Sequence, residues 1–165
     1  MGTDGVRTEA TMQDETTASQ IALDEVRRRR AELREAISRL ETALAAPTPG
    51  RLEGWTHLVK DRLEQLASDF TEHVTVTEGA DGVYDDVVAT APRLARAVDQ
   101  LRYDHEVINK LLDHCGRLVQ AAKVDDDIAD IRESATDLLF RLVRHRQRGS
   151  DLMWEAYAND IGGET

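Results

Sequence analysis

Residues 94–119 read LARAVDQLRYDHEVINKLLDHCGRLV, and their non-charged side chains recur at alternating steps of four and three. Leu94, Val98, Leu101, His105, Ile108, Leu112, Cys115 and Val119 therefore share one stripe of an α-helix, the pattern of a helix buried along one face in a bundle. Pro92 suits the first turn of this helix, because its missing amide would have no partner there.

The same stepping appears three more times. On the N-terminal side, a helix from Leu52 carries Trp55, Val59, Leu63, Leu66, Phe70, His73 and Thr77. Before it, a helix over 18–46 carries Leu23, Val26, Arg30, Leu33, Ile37, Leu40 and Leu44. Pro47-Thr48-Pro49-Gly50 stops that one. Towards the C-terminus, after Asp125-Asp126-Asp127, a helix carries Ile128, Ile131, Ala135, Leu138, Leu142, His145, Gly149, Leu152 and Ala156. The acids precede this helix where its dipole favours them. Gly79 and Ala80-Asp81-Gly82 interrupt the second helix, so Val83–Thr90 reads either as a kinked continuation or as a loop. Four long helices with short connections predict an all-α, up-down-up-down four-helix bundle.

The division along the chain is an acidic, disordered tail over 1–17, followed by one bundle domain over 18–165 whose ordered part ends at Gly162-Gly163. Composition agrees. The 165 residues are only 4% aromatic, carry three prolines, and have a net charge of −11. That charge argues against nucleic acid and anionic membranes as partners, and the short run Arg27-Arg28-Arg29-Arg30 does not reverse it. No run is apolar enough for a membrane span or a secretory leader, and the single cysteine excludes an internal disulfide. The expected location is the cytoplasm.

The polar exceptions on the stripes carry the functional information. His73, His105 and His145 each lie on a different helix. With the last connection centred near residue 124, His105 faces about residue 143, roughly 3 Å along the axis from His145. If the second helix continues through its kink and turns near residue 89, His73 faces His105 as well. Converging neutral imidazoles with nearby carboxylates can hold iron, manganese or zinc. Glu78, Asp104 and Asp151 are the carboxylates near that level, and Tyr84 lies close enough to reach it with its hydroxyl. A polar layer that sets helix register without metal fits the same pattern. Arg30 stands on the first stripe where an aliphatic residue belongs. It must reach solvent or pair with an acid, Glu78 and Asp104 being at hand, and its charge opposes a cation there and can replace one.

Two stretches, EHVTVTEGADGVYDDVVATAPRLARAVDQLRYDHEVINKLLD over 72–113 and RHRQRGSDLMWEAYANDIGG over 144–163, resemble the hemerythrin-like (HHE cation-binding) proteins, a bacterial subgroup in particular. The resemblance implies an oxo-bridged di-iron site within the bundle, used for oxygen binding, iron handling or redox sensing, with dioxygen or another small molecule as ligand. His73, His105 and His145 match the family histidines, and Glu78 joins them as the implied fourth ligand. The chain departs from the pattern elsewhere. The family places carboxylates four or five residues after the histidines that His73 and His145 match. Here Thr77 stands four after His73, with Glu78 one position further. Gly149 stands four after His145, with Ser150 next and Asp151 beyond. Asn109 stands where a second histidine is expected, and Arg30 lies near the position of a first-helix histidine. These departures argue against two irons and leave a mononuclear site and a metal-free bundle both open.

Other candidates read as structural. His57 and Asp61 form a solvated pair off the stripe, His114 flanks a buried, inert Cys115, and Trp55 and Trp154 pack the bundle ends. No phosphate-binding glycine loop, zinc-protease motif or nucleophile elbow is present, so no catalysed reaction is named.

Overall fold

The computed structural model describes residues 4–48, 50–80 and 82–157, with side chains described from residue 24 onward. Its helices are α1 (Asp4–Ala45), α2 (Leu52–Glu78), α3 (Val83–Thr90), α4 (Ala95–Ala121) and α5 (Asp127–Tyr157), with a 3-10 turn at Pro92–Leu94. α1 packs on α2 and α5, and α4 packs on the same two helices from the opposite corner. This is the up-down-up-down bundle that the stripes predict. No helix among the described residues is long and apolar enough to cross a membrane.

The buried residues of α2 and α5 are those of the two predicted stripes, from Trp55 to Thr77 and from Ile128 to Ala156. The stripe from Leu94 to Val119 is buried throughout as well. Two differences from the sequence reading concern the elements themselves. α1 reaches back to Asp4, so the backbone over 4–17, expected as a tail, continues the helix. Nothing between Gly5 and Pro47 breaks it, since neither glycine nor proline occurs there. The expected end of order at Gly162-Gly163 lies outside the described residues.

The second difference is at Gly79, where α2 ends outright instead of bending. The Gly79 amide donates to Thr75 O at 2.9 Å and the Gly82 amide to Gly79 O at 2.8 Å. A Cβ at either glycine would stand 2.3 Å from Thr75 O or 2.6 Å from Thr77 O, so only glycine lets the chain turn this closely over the helix end. α3 then folds against α2 and α4, burying Val83, Tyr84 and Val87.

At the opposite end, Gly50 takes the left-handed conformation, with φ +66°. The last carbonyls of α1, which have no partner within the helix, accept from side chains of other helices. Trp55 Nε1 donates to Ala43 O at 3.1 Å, and Arg132 donates to Leu44 O and Ala46 O at 3.0 and 3.2 Å. Trp55 thus packs the bundle end as expected. Trp154 does not: it is 75% exposed, because residue 154 falls between the buried positions Leu152 and Ala156 and faces outward.

The core consists of two apolar clusters. One surrounds Leu33, Phe70, Ile108 and Leu142 and extends to the Gly50 end. The other surrounds Val26, Tyr84, Leu101 and Leu152. Between them in every long helix lies a polar position: Arg30 in α1, His73 and Thr77 in α2, His105 in α4, His145 in α5.

Candidate metal centre

The three histidines converge. Nε2 of His145 lies 3.1 Å from Nε2 of His73 and 3.1 Å from Nε2 of His105. All three rings are buried. Phe70 forms the floor, its ring stacked on His73 and edge-on to His105 and His145. Tyr84 covers the other side, stacked on His105 at 5.9 Å and 15°. Each histidine offers one nitrogen to a cluster spanning less than 4.8 Å, the one such cluster among the described residues.

Carboxylates stand behind two of the rings. Glu78, the last residue of α2, bonds Nδ1 of His105 through Oε1. Asp104 Oδ2 lies 3.8 Å from Nδ1 of His145 and is held by Arg148 Nη1 at 3.0 Å. Glu78 therefore sits at the ring edge opposite the converging nitrogens. Asp151 is exposed and accepts from Gln147 instead, and Asn109 is exposed on α4.

This geometry fixes the proton count. A carboxylate at Nδ1 of His105 places the proton there and leaves Nε2 with a lone pair. Burial above all, with neighbouring charges, lowers the pKa of His73 to about 3 and that of His145 to about 2, so both are neutral at pH 7. His105 is pulled in two directions: burial lowers its pKa, and the hydrogen bond from Glu78 raises it, with burial prevailing. If His145 carries its proton on Nε2, that single N–H must serve two acceptors. If it carries the proton on Nδ1, its Nε2 lone pair faces that of His105, and Nδ1 is a buried donor without a hydrogen-bond partner. Neither arrangement satisfies the cluster.

A metal ion on the three Nε2 atoms removes the opposed lone pairs, and the proton of His145 then stays on Nδ1, 3.8 Å from Asp104. Imidazole nitrogens at 2.0–2.1 Å from one ion stand about 3.0–3.4 Å apart, which brackets the two 3.1 Å separations. Glu78, bonded at Nδ1 of His105, has the placement that fixes ring orientation in metal-bound histidines, whereas Asp104 stands beyond hydrogen-bond reach of His145. Those two separations suit donors to a single ion.

Arg30 lies at the edge of this layer. Neither predicted partner holds it, because Glu78 is taken by His105 and Asp104 by Arg148, and among the described residues it forms no ion pair. Its Nη2 approaches α5 at Gly149, 2.9 Å from where a Cβ would stand. Burial lowers its pKa, a nearby Tyr84 opposes that and Arg146 adds to it. Thr77 turns its hydroxyl back to His73 O at 2.8 Å. Of the positions four residues after His73 and His145, one is thus occupied by a backbone-bonded hydroxyl and the other by a glycine facing a guanidinium.

The sequence matches the profile of the hemerythrin HHE cation binding domain over residues 21–152. The chain belongs to the hemerythrin HHE family. Comparison with the curated proteins and with the solved structures gives no match. Membership accounts for three histidines at one level of a bundle.

The remaining candidates have structural roles. His57, Asp61 and His114 are exposed. Cys115 is buried 3.2 Å from Ser134 Oγ, and burial raises its pKa, so it is an unreactive thiol. Sequence reasoning missed the buried face of α3. The signal was present in Val83, Tyr84 and Val87, spaced by one and three.

Proposed function

We propose that this hemerythrin HHE bundle, the unit from residue 18 onward, holds one transition-metal ion on Nε2 of His73, His105 and His145, with iron the metal of choice. The observation that carries this is the convergence of three neutral imidazoles whose Nε2 contacts their own protons cannot satisfy. Glu78 orients His105 from behind, Asp104 places a negative charge behind His145, and Phe70 and Tyr84 hold the rings and exclude water. Iron held this way keeps positions open for dioxygen or another small ligand and supplies one-electron chemistry. An iron-, oxygen- or redox-responsive role in the cytoplasm follows from this reading.

The test is retention of metal after anaerobic reconstitution with ferrous iron and desalting. Wild type should keep iron, and His105→Ala should not. Equal iron in both, or none in wild type, overturns the proposal.

Arg30 favours a second reading. Its positive charge, close to His73 and His145 and without an ion-paired acid among the described residues, opposes a cation. A bundle that relinquished metal and serves as an interaction module gives a melting temperature indifferent to chelators, which the first reading forbids.

A further inference from the structure

We propose that the pocket between α1 and α5, beside His73 and His145, binds a small monovalent anion on Arg30, with Arg146 at its side. Both arginines line this one pocket, together with Thr77, Tyr84, Gly149 and Met153. Neither forms an ion pair with a carboxylate among the described residues. Arginines at similar depth elsewhere are partnered: Arg29 by Glu25, Glu32 and Glu72, Arg148 by Asp104, and Arg132 by two carbonyls. In a chain with 32 acids against 21 bases, two unpaired guanidiniums facing one cavity form a local excess of positive charge.

The chemistry of the walls selects the ligand. A guanidinium presents parallel N–H donors that match a planar oxyanion, and apolar walls strengthen the attraction by lowering the local dielectric. Val26, Leu33 and Val83 supply those walls. The Tyr84 phenol, kept protonated by burial, lines the same pocket and shares a hydrogen bond with Thr77. The cavity measures about 10 Å³, room for one water-sized atom. A one-atom anion enters the space as it stands, and a planar one of three heavy atoms enters once the part-exposed Met153 shifts aside, leaving Arg146 in place to bind it. Gly149 contributes by having no side chain, which leaves the guanidinium its place against α5.

The site does not depend on a loaded histidine cluster, so the experiment uses chelator-treated protein. Sodium formate is titrated calorimetrically at constant ionic strength held by a bulky organic sulfonate, with sulfate as competitor. Saturable formate binding is expected, weakened about 10-fold or more in Arg30→Gln and less in Arg30→Lys, which keeps the charge but loses the fork. Sulfate should compete poorly. Arg146→Gln, at a part-exposed position, should also bind formate more weakly, and it carries the test if Arg30→Gln does not fold. Formate binding that does not saturate, that is unchanged in the variants, or that sulfate displaces as well as formate itself overturns the proposal.

Discussion

Gly149 and Arg30 are complementary across the α1–α5 interface: the guanidinium Nη2 stands 2.9 Å from where a Cβ on residue 149 would lie. A glycine in the middle of a 31-residue helix gives up propensity, so its presence is explained by what it admits. It admits a cation to the edge of a histidine cluster.

Gly149→Ala tests that pairing. Arg30 Nη2 is the far end of a flexible side chain and can withdraw, while alanine gains up to about 1 kcal/mol of helix propensity. The expected change in stability is smaller than about 1 kcal/mol in either direction, measured by urea unfolding. A loss of several kcal/mol would show that the guanidinium cannot move.

Much of this was legible in the sequence because a bundle of long helices has one dominant regularity. The stripes of α2, α4 and α5 match the buried residues position by position, and the level argument brought His105 to His145. His73 joins them although α2 ends at Gly79 and does not run on to residue 89 as that argument assumed. What the period could not give was direction within a level. Glu78 and His105 share a level, yet whether the carboxylate meets Nδ1 or Nε2 depends on how the chain leaves α2 at Gly79. Arg30 was legible as an anomaly on its stripe, but its expected acid partners are engaged by other side chains. Trp154 was misjudged from residue type alone, although its position off the stripe already placed it outside.

Glu78→Ala separates an orienting carboxylate from a ligand. Removing a carboxylate behind a metal-bound histidine lowers affinity about 10–100-fold without abolishing binding. Competition with a chromogenic chelator should show that range. Loss as complete as in His105→Ala would make Glu78 a ligand itself.

The metal-free protein should lose stability on acidification. His73 and His145 have folded pKa values of about 3 and 2, below the unfolded value of about 6.5. Above pH 6.5 both states are neutral and stability is full. Below it the unfolded chain takes up protons that the fold refuses, and stability falls until the pH reaches the folded values. Each histidine can contribute up to about 1.4 kcal/mol per pH unit in that window. Urea midpoints between pH 7 and pH 4 should fall, and less steeply in His145→Gln.

The two tryptophans should respond oppositely. Trp55 is 3% exposed, bonded to Ala43 O and covered by Arg132, so Trp55→Ala should cost about 3–5 kcal/mol. Trp154→Ala should stay within about 0.5 kcal/mol. Thermal unfolding of both variants checks this.

The most direct test of the central claim is a cobalt(II) titration of chelator-treated protein, followed by visible absorption. One ion per chain, with a nitrogen-ligand spectrum that His73→Ala, His105→Ala and His145→Ala each remove, is the predicted result. No saturable uptake, or a spectrum that survives loss of any one of these histidines, would contradict it.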